Sequence, residues 1–242
     1  HVESPATEEG YIAAAPSADA VYATGKKFTA AMINALTKCR HIALGTVGVD
    51  YVDVAAATAK GIPVTNCPDT FIEEVADHAM MLLLAAHRRC IKQDRMVREG
   101  RWAEGRPQLL QIPRLMGQTL GFIGFGRVAR ATARRAKAFG LHMKAYDPYV
   151  EELTLSALGV EPASLSEVLS TSDFVSMHLP DTPETRGFLK EHHFRQMKKT
   201  AIFVTTGRGP TVNEAALIKA LEEKWIAGAG LDVFEIEPTR QD

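Results

Sequence analysis

Two glycines and one acid carry the clearest chemistry in this chain. Gly124 and Gly126 flank Phe125, the small Ala129 follows three positions later, and Asp147 lies 23 positions after Gly124. Glycines spaced this way permit a tight turn and close approach of backbone to a ligand. If a helix starts there, the unpaired N–H groups around Gly126, Arg127 and Val128 can hold a pyrophosphate. A carboxylate at the position of Asp147 can accept hydrogen bonds from ribose hydroxyls. The spacing alone is weak evidence; strand, helix, second strand and terminal acid must all fall in place around it.

The flanking sequence supplies those elements. Leu120, Phe122, Ile123 and Phe125 form a short apolar run before the glycines, which reads as a buried strand. Residues 127–139 read as a helix with Val128, Ala131, Ala136 and Phe139 roughly along one face, closed by Gly140. Residues 142–146 read as the next strand, ending at Asp147.

The same alternation runs through the rest of the chain. Strands are expected at 20–22, 41–44, 63–65, 174–177, 201–204 and 228–233. Helices are expected from a Thr29 cap to 38, at 52–60, 73–89, 165–169 and 191–197, and at 214–222 behind an Asn213 cap. Residues 95–114, with Trp102 and two prolines, read as a connector. Strands alternating with helices predict parallel sheets covered on both faces.

Composition narrows the function classes. With 46% hydrophobic residues among 242, the chain can bury a sizeable core. The formal charge of −1 and the lack of a basic stripe argue against nucleic acid as a partner. The longest apolar stretch, 79–86, is too short to span a bilayer, so no membrane partner is expected. Cys39, Cys67 and Cys90 are odd in number and lack metal-ligand spacing. They read as reduced thiols of a cytoplasmic protein with no metal site.

A series of motifs in fixed order goes further. Gly45-Thr46-Val47-Gly48-Val49-Asp50, Val64-Thr65-Asn66-Cys67-Pro68 and Glu74-Val75-Ala76-Asp77-His78 precede the glycine loop. Val175-Ser176-Met177-His178-Leu179-Pro180, Thr206-Gly207-Arg208-Gly209 and Gly230-Leu231-Asp232-Val233-Phe234-Glu235-Ile236-Glu237-Pro238 follow it. Together they resemble the D-isomer-specific 2-hydroxyacid dehydrogenases, across essentially the whole chain. The resemblance implies an α/β fold of two domains. Residues 1–70 would be the N-terminal part of a smaller flavodoxin-like substrate domain. Residues 71–242 would be a Rossmann-type NAD-binding domain with a doubly wound parallel sheet, lacking its last strand and its return to the substrate domain. The resemblance also implies a homodimer formed through the NAD-binding domain around helix 73–89.

The implied reaction passes a hydride between NAD and the 2-carbon of a small 2-hydroxy or 2-keto acid. The cofactor would be held by Gly124, Gly126, Arg127, Val128, Asp147, His178, Leu179, Pro180, Thr185, Thr206, Gly207, Arg208 and Asp232. Arg208 matches the family arginine that pairs with the substrate carboxylate, a task suited to its planar fork. Val47, Gly48 and Val49 would give a second carboxylate anchor through the backbone. Glu237, 29 positions past Arg208, matches the glutamate that orients a catalytic histidine. None of His1, His41, His78, His87, His142, His178, His192 or His193 matches that histidine, which is expected beyond Asp242. Asp147, followed by Pro148-Tyr149-Val150-Glu151-Glu152 with no arginine, points to NAD and away from NADP. One alternative shares the fold: the C-terminal-binding proteins, transcriptional corepressors that sense dinucleotides and bind short peptides.

Overall fold

The computed structural model describes residues 4–25 and 27–239. His1, one of the histidines weighed above, and Asp242 lie outside them. The chain divides into two compact units, residues 1–70 and 71–242.

The first unit contains α1 (Glu8–Ala14), β1 (Val21–Ala23), α2 (Ala30–Ala35), β2 (Ile42–Leu44), α3 (Val54–Ala59) and β3 (Val64–Thr65). Its three strands are parallel in the order β1-β2-β3. The Thr29 hydroxyl caps α2 by accepting from the Met32 N–H, as the sequence suggests. That helix ends at Ala35, earlier than expected, because Leu36 turns extended (ψ 117°) and buries its side chain. Ile33, Leu36, Ile42 and Ala57 form the centre of this unit's core.

The second unit opens with three helices, α4 (Ile72–His87), α5 (Cys90–Arg98) and α6 (Trp102–Leu110). The connector expected at 95–114 is therefore largely helical. Arg89 and Gly100 take left-handed conformations (φ 55° and 72°) and separate the helices. Gly105 lets α6 pack closely on α5: a Cβ there would lie 2.6 Å from Gln93 Oε1. This packing stabilises a helix that contains Pro107, a residue that weakens helices in isolation.

Next come β4 (Thr119–Ile123), α7 (Arg127–Ala138), β5 (His142–Tyr146), α8 (Glu152–Ala157), β6 (Glu161–Pro162), α9 (Leu165–Thr171) and β7 (Phe174–Met177). The unit ends with α10 (Glu191–Phe194), β8 (Ile202–Thr205), α11 (Glu214–Glu222) and β9 (Gly228–Leu231). All six strands are parallel, in the order β6-β5-β4-β7-β8-β9. The order reverses direction at β4, which makes the crevice beyond β4 and β7 the switch point where ligands bind in such sheets. α8 and β6 were not expected from the sequence. β6 is two residues long and exists through its pairing with Lys144 and Ala145 of β5.

The central strands β4, β7 and β8 are buried along nearly their whole length because both faces of the sheet are covered there. Phe122, Phe174, Ile202 and Val204 pack with Met80 and Leu83 of α4, Ala133 and Ala136 of α7, and Leu155 of α8. Ile123, Val175, Met177 and Phe203 pack on the other face with Val168 of α9, Phe194 of α10 and Leu217 of α11. Each fully buried phenylalanine contributes about 1.5–3 kcal/mol. These two layers fix the strand ends, and the strand ends carry the candidate chemistry.

Candidate active site

Three loops meet at the C-terminal edge of the large sheet. Gly124, after β4, has φ 81°, a conformation that side chains resist. A Cβ there would come within 2.9 Å of Leu179 Cδ2 and 3.3 Å of the His178 carbonyl. Gly207, after β8, is pressed on the same segment, with its missing Cβ 2.7 Å from the Leu179 carbonyl oxygen. The His178-Leu179 segment after β7 is thus held between two glycines.

The first loop turns directly into α7. Gly126 is its N-cap, and no side chain caps the helix start among the described residues. A Cβ on Gly126 would meet nothing within 4 Å, so open space lies over those amides. Arg127 begins the helix and Val128 follows, with the buried Ala129 next. Asp147 ties this loop to β5. Its Oδ2 accepts from the Phe125 N–H at 2.7 Å and its Oδ1 from the Tyr149 N–H at 2.9 Å. A carboxylate has about four lone-pair sites, so Asp147 retains acceptor capacity. An uncapped helix start, open space above it and an adjacent carboxylate fit a dinucleotide's pyrophosphate and ribose.

The second loop centres on His178. Its Nε2 lies 2.8 Å from Ser176 Oγ and its Nδ1 lies 3.3 Å from Thr206 Oγ1. Burial of the ring pulls its pKa from the usual 6.5 to about 4. A neutral imidazole bonded at both nitrogens shapes the loop and is poorly placed to carry protons. Ser176 was not singled out from the sequence. Its spacing of two along a strand, which puts it on the same face as His178, was the available signal. Beyond Leu179 and Pro180, Thr185 folds back, its hydroxyl donating to the Pro180 carbonyl at 2.6 Å and accepting from the Thr182 N–H at 2.8 Å.

The third group follows β8 and β9. Arg208 follows Thr206 and Gly207, and one guanidinium nitrogen donates to the Gly207 carbonyl at 2.9 Å. Gly209 is packed against the Phe234 backbone so tightly that no side chain fits. This contact joins the Arg208 loop to the segment that carries Asp232 and Glu237. Asp232 follows β9, its N–H bonded to the Thr205 carbonyl at 3.1 Å. Glu237 Oε1 accepts from the Phe234 N–H at 2.9 Å.

Val47, Gly48 and Val49 belong to the first unit, in the loop after β2. The Thr46 carbonyl accepts from the Cys67 N–H at 3.1 Å, Val47's from Asn66 Nδ2 at 2.6 Å, and Gly48's from Thr46 Oγ1 at 2.8 Å. With the carbonyls tied, the amides of these three residues donate to no acceptor among the described residues. Amides left over in this way are the groups with which a backbone can meet an anion. Asn66 and Thr46, which hold it open, were not predicted as site residues. Among the described residues no group of histidines, cysteines and acids is arranged to hold a metal. Among the described residues no helix is long and apolar enough to cross a membrane.

The largely desolvated His178 gives the fold a pH signature. Its folded pKa lies below its unfolded value, so stability is fully present above pH 6.5 and falls as pH drops towards about 4. Each unit of difference is worth about 1.4 kcal/mol, so the loss across this window is on the order of 3 kcal/mol. Urea unfolding at stepped pH should show this slope, and His178→Gln should flatten it. An equal slope in the variant would assign the effect to other groups.

With the geometry in hand, comparison with known proteins is direct. The profile of the D-isomer specific 2-hydroxyacid dehydrogenase NAD binding domain matches residues 80–242. The chain is 48% identical over 214 residues to a glyoxylate reductase of Korarchaeum cryptofilum, covering 88% of this chain and 64% of that protein. It is 40% identical over 228 residues to a D-3-phosphoglycerate dehydrogenase of Mycobacterium bovis, covering 94% of this chain and 43% of that protein. The chain thus spans less than two thirds of the length of either relative. Among solved structures, an acyclic imino acid reductase in complex with NADPH and D-Arg superposes with a TM-score of 0.89 at 27% identity, covering 97% of this chain and 74% of that one. The chain belongs to the D-isomer specific 2-hydroxyacid dehydrogenase family.

Proposed function

We propose that the complete gene product interconverts a small D-2-hydroxy acid and its 2-keto acid, with NAD carrying the hydride. One arrangement carries this reading. The uncapped start of α7 with Asp147, and Arg208 after β8, stand at the same C-terminal edge of one parallel sheet. An anion-binding helix start and a carboxylate-binding cation on one ligand edge suit a dinucleotide beside an organic acid. In this reading residues 1–70 serve the substrate and residues 71–242 the cofactor. The relatives reported above are oxidoreductases, which favours the enzyme over the corepressor.

This reading gives each residue a role. Gly124, Gly126, Arg127 and Val128 hold the pyrophosphate, and Asp147 accepts from the adenosine ribose. His178, Leu179, Pro180, Thr185, Thr206 and Gly207 line the crevice, and Asp232 borders its far side. NAD, when bound, supplies or accepts the hydride. Arg208 pairs with the substrate carboxylate and steadies the charge that develops on the carbonyl oxygen. Within the first unit, the amides of Val47, Gly48 and Val49 offer a carboxylate anchor of their own. Arg208 cannot release a proton near neutral pH. That step needs an imidazole, which Glu237 would orient. Three free cysteines fit a cytoplasmic setting.

The second unit also supports a homodimer. Met81 and Ile91 are exposed, and Leu82, Ala86, Ile91 and Gly230, together with Arg89 and Lys92, line a largely apolar groove of about 320 Å³. A second copy covering this face would account for it. Light scattering on the complete gene product should give twice the chain mass, and a monomer at micromolar concentration would overturn the dimer.

A panel of 2-keto acids offered with NADH and with NADPH tests the reaction. At least one acid should be reduced, with higher kcat/KM for NADH, because Asp147 repels a 2′-phosphate. No turnover would sink the enzymatic reading; equal use of NADPH would sink only the cofactor preference. Arg208→Lys keeps the charge but loses the fork. Losing a charge-assisted bond should lower kcat/KM roughly ten- to a hundredfold while leaving NADH affinity nearly intact. Unchanged kinetics would remove Arg208 from the site.

A further inference from the structure

His78 has no part in the chemistry described so far, yet it reaches the site's edge. Its Nε2 lies 3.1 Å from Asp232 Oδ1. The two residues come from elements far apart in sequence, the first half of α4 and the segment just past β9. Their meeting depends on a close contact one helical turn further on. Gly230 packs on Leu82, where a Cβ would lie 3.0 Å from Leu82 Cβ and 3.3 Å from its carbonyl oxygen. Residues four apart share a helix face, so seating Leu82 on Gly230 places His78 over the end of β9, where Asp232 emerges.

The neighbouring residue anchors the same turn to the other half of the site. Asp77 Oδ1 pairs with Arg135 Nε at 2.6 Å, and Glu73 pairs with Arg134 at 2.6 Å and Arg135 at 2.8 Å. Both arginines lie on α7, the helix that begins at the glycine loop. These pairs are partly exposed and contribute little stability, but they fix how α4 lies along α7. α4 therefore holds the pyrophosphate helix on one side and Asp232 on the other.

Asp232 stands on the β7–β9 side of the switch point, opposite Asp147. A dinucleotide whose ribose reaches Asp147 extends its nicotinamide half towards that side. A carboxylate only accepts hydrogen bonds, and the nicotinamide carboxamide offers an N–H₂ group. We propose that His78 is a positioning residue for cofactor binding. By donating to Oδ1, it orients Asp232 so that Oδ2 accepts from the carboxamide. This rests on the dinucleotide reading given above.

The His78 and Asp232 side chains are about 40% exposed (41% and 39%), and many such contacts contribute nothing measurable. Calorimetric binding to the full-length protein separates the two accounts. The ligands are NAD and its 3-acetylpyridine analogue, in which a methyl group replaces the carboxamide nitrogen. His78→Leu should weaken NAD binding about tenfold, the worth of one hydrogen bond to a charged group, and leave the analogue's affinity unchanged. His78→Gln, which keeps a donor, should recover part of the loss. Asp232→Asn should mimic His78→Leu, and the double variant should be no weaker than either single one. Unchanged NAD affinity in His78→Leu, or an equal loss for both ligands, would overturn the proposal. Failure of the wild-type protein to bind NAD at all would instead sink the dinucleotide reading. Should His78→Leu not fold, the His78→Gln and Asp232→Asn arms decide the question by the same comparison.

Discussion

The site depends on backbone segments lying closer together than side chains allow. The His178-Leu179 segment runs between Gly124 and Gly207, and any Cβ at either glycine would collide with it. Gly209 against Phe234 and Gly230 against Leu82 repeat the device along the sheet. The loops after β4, β7, β8 and β9 are thereby locked to one another. Interiors this dense do not deform gradually, so each loop's position fixes the next.

The same closeness explains the polar chemistry. Loops stripped of side chains expose their backbone, and their amides must find partners. Asp147 takes the Phe125 amide and the Thr205 carbonyl takes the Asp232 amide. The start of α7 keeps its amides uncapped by side chains, which leaves a positive helix end beside a carboxylate. His178 lies within this packing as a neutral ring held by Ser176 and Thr206. Desolvation favours its neutral form. In the first unit the arrangement is inverted: three carbonyls are tied down and the amides of Val47, Gly48 and Val49 are left over.

α4 connects these parts. It packs its apolar side on the sheet through Met80 and Leu83. It presents Glu73 and Asp77 to α7, and His78 to Asp232. Neighbouring residues on one helical turn thus face two different loops of the site. The weak, partly exposed ion pairs matter here for register more than for stability.

Much of this molecule was legible in the sequence, because many of its elements announce themselves locally. A short run buried along its whole length marks β7 at 174–177, and the Asn213 side chain marks the start of α11. Gly124, Gly126 and Asp147 named a turn whose conformation only glycine adopts easily, and the structure has that turn. Tertiary packing decided the rest. α5 and α6 form in a stretch with two prolines because Gly105 seats against Gln93. β6 forms because β5 offers it an edge. No spacing rule links Thr206 to His178, Asn66 to the Val47 carbonyl, or His78 to Asp232. These bonds join residues whose separation in sequence is unrelated to their separation in space. They exist only once the helices have settled on the sheet in one register, which is set by the total packing of both faces and not by any local pattern.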